Sequence, residues 1–288
     1  MKPPPVAYER PATEDECLEL LREHGEDARL LAGGQSLVPL LNFRLSRPAV
    51  LIDITRIPSL IGIRVHDGRL LLGAAVRQSM LERSPAIAAT RPLFRDALAH
   101  VGHPQTRSRG TIGGSVAHAD PAAELPVVLA ALDARLHLRS AGGDRTLAWH
   151  EVFRSEFVTA CAGDEMLTAV EVPAPRRRTG TSFREYAARY GDFAVAGVAA
   201  VIELDDRGLC TRAALSLLAA GPAPVRAREA EQALIGQEPT RAVGAEAAEL
   251  AVAAAEFRAG HTDVPADYRR HVLRALVQEA IVAAGGRA

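Results

Sequence analysis

Between Thr111 and Pro126 the chain reads TIGGSVAHADPAAELP, packing two adjacent glycines, three ionisable side chains and two prolines into one short run. A core helix or strand has no use for that mixture. Gly113 and Gly114 open backbone angles closed to other residues, so several N–H groups can converge on one point and form an anion-binding concavity. A ligand there is held mainly by main chain. A second run, AGGQSL from Ala32 to Leu37, repeats the device earlier in the chain. It follows Ala28 to Ala32, which reads as a buried strand, and it precedes a helix that Ser36 can cap and that runs through Leu45, with Pro39 tolerated in its first turn. Loop amides and a helix N-terminus together favour a phosphate. The AGGQSL run matches neither the Walker nor the GxGxxG pattern. A single GG pair is equally a tight turn; two in one chain suggest two sides of one ligand.

His118, Asp120 and Glu124 invite a metal or acid–base reading. A metal site needs further ligands, and none is marked elsewhere. A carboxylate just after a glycine loop can instead anchor ribose hydroxyls or loop amides. Ser115 has neither GxSxG context nor an evident base, so no catalytic residue and no metal ligand are assigned.

The elements that would carry these loops follow from periodicity. Val6 to Arg10 reads as a strand, Thr13 with Glu16 as a capping box for a helix to His24, and Ala49 to Ile54 as a strand. From Leu60 a hairpin turns at His66 to Gly68. Helices are expected at Arg77 to Leu81, Ile87 to His100 and Pro121 to Leu132, with a polar turn at His103 to Arg109. Strands are expected at Ala134 to Arg139, Thr146 to Trp149 and Leu167 to Val172. Pro173 to Gly180 reads as a boundary. Ser182 to Ala188, Val195 to Leu204 and Cys210 to Leu218 then form a three-stranded antiparallel meander, followed by helices at Val225 to Leu234, Thr240 to Phe257 and Tyr268 to Ala283.

The 288 residues are enough for two or three domains. With 48% apolar and 24% charged residues the composition is that of an ordinary globular protein, and a formal charge of −1 gives no field for nucleic acid. Cys17, Cys161 and Cys210 lack any CxxC pairing and read as small buried hydrophobes. No apolar run reaches the ~18 residues of a membrane span, and the N-terminus lacks a signal-peptide core, so a cytoplasmic protein is expected.

Taken together, LLAGGQSLVPLLNFRLSRP, TIGGSVAHADPAAELP and RYGDFAVAGVA, in that order, resemble the FAD-binding medium subunit of molybdenum hydroxylases, the group with the carbon monoxide dehydrogenase medium subunit and the flavin domain of xanthine dehydrogenase. The closing DYRRHVLRALVQEAI resembles the last helix of that family. The resemblance implies an α+β fold: an FAD-binding domain at 1–175 of vanillyl-alcohol-oxidase or p-cresol-methylhydroxylase type, with subdomains at about 1–56 and 57–175, and a C-terminal domain at 176–288 with a three-stranded sheet and helices.

It also implies that Leu31, Ala32, Gly33, Gly34, Gln35, Ser36, Leu37 and Val38 wrap the FAD pyrophosphate, that Thr111, Ile112, Gly113, Gly114 and Ser115 form the second wall, and that Glu124 is an acidic FAD ligand. Val101, Leu167 and Arg184 fall at further flavin contacts, and Asp192 with Phe193 near the isoalloxazine edge. Arg184 stands where some relatives have lysine, Ser115 where others have asparagine, and Phe193 where some have tyrosine. The function implied is electron transfer from [2Fe–2S] clusters of a small partner subunit through FAD to an external acceptor. The organic substrate is hydroxylated at the molybdopterin cofactor of a large partner subunit, in a dimer of heterotrimers. A stand-alone FAD-dependent oxidoreductase of the same fold and a non-redox assembly protein are the alternatives.

Overall fold

The first sheet is small and parallel, with Val50–Asp53 between Ala7–Glu9 and Ala28–Leu31. One helix, Glu14–His24, covers it. Thr13 accepts from the Glu16 N–H at 3.2 Å, Glu16 reaches back to the Ala12 N–H at 2.7 Å, and Cys17, Leu18 and Leu21 are buried. The chain is described here by a computed structural model covering residues 2–257 and 263–288.

A five-stranded antiparallel sheet follows, in the order Ile63–His66, Arg69–Gly73, Met166–Val172, Arg135–Ser140, Gly143–Ala148. Its core face is covered by helices that include Pro92–Leu98 and Glu124–Ala131. Every residue of the latter after Glu124 is buried, as expected of a helix apolar on all sides. The third sheet is antiparallel and carries Thr179–Ala187, Ala194–Leu204, Cys210–Leu218 and Val225–Arg226 in sequence order. The helices Arg228–Leu234 and Ala266–Gly285 pack on its outer face, with Arg241–Ala253 against both of them; Ala- and Gly-rich Ala194–Leu204 lets Ala266–Gly285 approach closely.

Three hydrophobic clusters result. The largest joins Leu72, Phe94, Leu129 and Val170 to Phe183, Val201 and Ala214, so the apolar core runs across the Pro173 to Gly180 segment without a break.

Several expectations are corrected. The last sheet has four strands because Val225–Arg226 pairs with Ser216 and Leu217 before the Arg228–Leu234 helix begins. Ile87 to His100 is two helices, Pro85–Thr90 and Pro92–Leu98, each with a proline in its first turn, where the missing N–H costs nothing. His103 to Arg109 is helical over Pro104–Arg109 for the same reason. The helix after the first glycine pair is shorter than expected, Leu37–Asn42, and Ser36 makes no capping bond. Thr240 to Phe257 is helical only over Arg241–Ala253. Cys17 and Cys210 are buried, while Cys161 is partly exposed. Among the described residues, no helix is long and apolar enough to cross a membrane.

Candidate cofactor site

The two glycine runs meet. A β-carbon on Gly33 would fall 2.3 Å from the Arg109 carbonyl oxygen and 2.7 Å from Gly110 Cα, and one on Gly114 would fall 3.7 Å from Ala32 Cβ. The chain therefore brings Leu31 to Val38 against the Arg109 to Ser115 segment, backbone to backbone, as only glycine permits.

The two runs do different work. In the second, the amides are engaged inside the protein: Ile112 N–H donates to the Val76 carbonyl at 3.0 Å, Gly113 N–H to Ala74 at 2.9 Å, and Gly114 N–H to the Thr111 hydroxyl at 3.0 Å. Gly113 and Gly114 lie within the Ile112–His118 helix, capped by Thr111. The expected nest of convergent amides at Gly113 and Gly114 is thus absent, because edge carbonyls of the neighbouring segment and the cap have taken those donors. The first run keeps its donors. Among the described residues, no backbone carbonyl accepts from the N–H of Gly33, Gly34, Gln35, Ser36 or Leu37; only from Val38 on are amides paired, Val38 N–H to Gly34 at 3.0 Å. The Gln35 side chain folds back on the Gly33 carbonyl at 3.1 Å. Five successive free amides, with Gly34 at φ +72 turning the chain, suit a diphosphate.

Glu124 opens the Glu124–Ala131 helix beside this region. Burial pushes its carboxyl up to about 7, its own backbone N–H and the Arg107 guanidinium pull it down, and Asp120 adds to the rise. Arg107 is held by Glu82 at 3.0 and 3.1 Å and by the carbonyls of Val101 and Gly102 at 3.0 and 3.3 Å, so Val101 takes part through its backbone while its side chain enters the core. Leu167 is buried at an irregularity in its strand. His118 stands 4.0 Å from Asp120, its ring tilted 47° to that of Phe157 with centroids 5.1 Å apart, and its pKa is lowered by burial.

Arg184 extends toward Glu279, 3.9 Å away, and lines a groove with His100, Arg107, Phe183 and Arg287. Strand alternation puts the next residue, Glu185, on the other face, where burial first and the Glu124 charge second push its carboxyl up to about 8. Asp192 pairs with Arg189 at 3.1 Å and, with Phe193 and Asp120, lines a cleft of about 570 Å3 at the edge of the third sheet. Sequence reasoning missed Glu185 and Arg107. The alternation of FREYA could have put Glu185 on the face of Phe183, and the HPQTRSR run could have been read as a helix with Pro104 at its first position.

A loop of free amides between a parallel strand and a helix, walled by a second glycine segment, has the donors that a diphosphate-bearing cofactor needs. Residues 4–175 match the family described as the FAD binding domain in molybdopterin dehydrogenase, and residues 181–284 match the CO dehydrogenase flavoprotein C-terminal domain. The chain belongs to this family, the FAD-binding medium subunits of molybdenum hydroxylases, and is an oxidoreductase subunit.

It is 42% identical to the 6-hydroxypseudooxynicotine dehydrogenase complex subunit alpha of Paenarthrobacter nicotinovorans, over 100% of this chain and 97% of that one. It is 34% identical to the carbon monoxide dehydrogenase medium chain of Afipia carboxidovorans, over 100% and 99%. The solved carbon monoxide dehydrogenase from Hydrogenophaga pseudoflava superposes with a TM-score of 0.96 at 35% identity, covering 100% of both chains. Quinoline 2-oxidoreductase from Pseudomonas putida 86 does so at 0.94 and 35%, covering 99% of each.

Proposed function

We propose that this chain holds FAD between the Leu31 to Val38 loop and the Thr111 to Ser115 wall, and passes electrons from iron–sulfur clusters of a small partner subunit to an external acceptor. The row of free amides from Gly33 to Leu37 carries the reading. These donors would hold the diphosphate without a counter-ion side chain, and Glu124 would serve as an acidic ligand. Ser36, whose hydroxyl makes no capping bond, is free to add a donor.

FAD, when bound, supplies the exchange between one-electron and two-electron carriers; the chain supplies position and electrostatics. The glycine contact between Gly33 and Arg109 to Gly110 fixes the width of the cleft, and the apolar core beneath it excludes water. No residue of this chain acts as acid or base on the organic substrate, which would react at the molybdopterin cofactor of a large partner subunit. The assembly is a dimer of heterotrimers in the cytoplasm. The FAD-binding domain spans 1–175, of vanillyl-alcohol-oxidase or p-cresol-methylhydroxylase type, and the C-terminal domain spans 176–288.

Val101, Leu167, Arg184 and Asp192 are further FAD contacts in this reading. Arg184 would reach the cofactor only by leaving Glu279. The test is reconstitution: purified, folded chain is expected to take up FAD in equimolar amount. Folded chain without flavin absorbance and without uptake of added FAD overturns the reading.

A further inference from the structure

The helices Gln78–Arg83, Pro85–Thr90, Pro92–Leu98 and Pro104–Arg109 and the edge strand Thr179–Ala187 contribute side chains to one groove of about 1250 Å3, closed at one end by Arg287. No residue of 31–38 or 111–115 lines it, so it is a different place from the cofactor loops. The two carboxylates in its lining are already paired: Glu82 with Arg107 at 3.0 and 3.1 Å, and Asp96 with Arg287 at 2.9 Å. Arg184 is drawn toward Glu279 and donates to the Phe183 carbonyl at 3.1 Å. Two cations are left over. Arg83 donates only to the Ser79 carbonyl, at 3.1 Å, and the Arg95 guanidinium has no hydrogen-bond or ion-pair partner among the described residues. Both are exposed, and neither meets a carboxylate. The groove therefore holds a surplus of positive charge in a chain whose formal net charge is −1.

The rest of the lining is apolar or aromatic. Ala88, Ala89 and Ala99 present only methyl groups, and the half-buried His100 ring is tilted 52° to the buried Phe183 ring with centroids 5.5 Å apart. Burial lowers the His100 pKa, against the pull of Asp96, so the ring offers a neutral stacking surface at pH 7. A shelf of this kind beside unpaired guanidinium groups suits a flat base joined to phosphates. An acidic peptide fits less well, because an added strand needs the free edge of Thr179–Ala187, and there Arg287 caps the Thr181 carbonyl at 2.9 Å and Arg184 the Phe183 carbonyl. We propose that this groove is a nucleotide site additional to the FAD cleft, taking a nucleoside di- or triphosphate with its phosphates on Arg83 and Arg95 and its base on the shelf of His100 and Ala99. One element serves both sites: Pro104–Arg109 puts Arg107 in the groove wall and the Arg109 carbonyl against Gly33.

The test is calorimetric titration with ADP of the full chain saturated with FAD, so that ADP cannot enter the cofactor cleft. One ADP per chain is expected to bind, with the flavin absorbance retained after filtration. Adenosine and pyrophosphate, each with half of the contacts, are expected to bind about tenfold or more weakly than ADP. Arg83→Gln combined with Arg95→Gln should weaken ADP binding about tenfold or more, and added salt should weaken wild type more than this variant. Both side chains are exposed, so the variant should melt with wild type, and Arg154→Gln, also exposed, is the control that should change neither readout. No ADP binding at millimolar concentration, equal affinity in wild type and the double variant, or flavin released in proportion to the ADP bound overturns the site. Pyrophosphate or an oligoglutamate peptide binding as tightly as ADP overturns its assignment to nucleotides. A chain that takes up no FAD overturns the cofactor reading instead, and the same titration of the flavin-free chain and its variants still decides the groove.

Discussion

A β-carbon at Gly33 would meet the Arg109 carbonyl oxygen at 2.3 Å, closer than any relaxation of a side chain could relieve, because both partners are backbone. Gly34 is needed for another reason, its φ of +72. Gly33→Ala is therefore expected to force the two walls apart, to lose FAD, and to lower stability by about 1–3 kcal/mol, the usual cost of overpacking. Gly208→Ala is the control, at φ +81 with open space around it; it should cost about 1 kcal/mol and keep FAD. Denaturant titration with flavin absorbance reads both, and equal flavin loss in the two variants would contradict the contact. The paired glycines were legible from residue types alone. Which run kept its amides free was not, because that depends on the carbonyls of Ala74 and Val76, brought under Gly113 and Ile112 by the fold.

Helix termini decide what the second wall presents. Thr111 donates no charge to the site; its hydroxyl accepts the Gly114 N–H and starts the Ile112–His118 helix, which Ala119 ends in a left-handed conformation at φ +50. Thr111→Ala should cost about 1 kcal/mol, the common value for a lost N-cap, and should weaken FAD binding only through that loss of order. Thr111→Ser, which restores the acceptor, should recover most of it in the same melts; no recovery would mean that the methyl group, not the cap, matters. Elements with a strong period or cap were readable in sequence, such as the Thr13 helix and the long strands of the third sheet. Short elements were not. Pro104–Arg109 and Val225–Arg226 are held by Glu82 and by pairing with Cys210–Leu218, contacts between residues distant in sequence.

The two halves of the molecule are tied by charge as well as by the common apolar core. Asp133, just past the Glu124–Ala131 helix, receives Arg226 at 2.8 Å and also Arg212, while Arg212 binds Glu203 at 2.9 Å and Arg226 binds Glu231 at 2.5 Å. Arg226 is almost wholly buried, so its partners decide whether its charge is tolerated there. No pattern in the sequence marks this network, since Asp133 and the two arginines are far apart along the chain; the ordered set of motifs conveyed the family but not the joint. At Asp133 burial opposes ionisation, yet Arg226 and Arg212 outweigh it and hold the carboxyl below its ordinary range. A lowered folded-state value means that the stabilisation is present above the ordinary aspartate range and is lost as pH falls through the folded value. Asp133→Asn keeps the shape and removes the charge. Because the Asp133 side chain is partly exposed, about 1–2 kcal/mol of stability should be lost at pH 7, well under the cost of breaking a fully buried pair. The gap between wild type and variant should narrow as pH falls below about 4. Urea titrations at neutral and acid pH measure this directly, and a gap that stays constant with pH would assign the loss to packing rather than to the ion pairs.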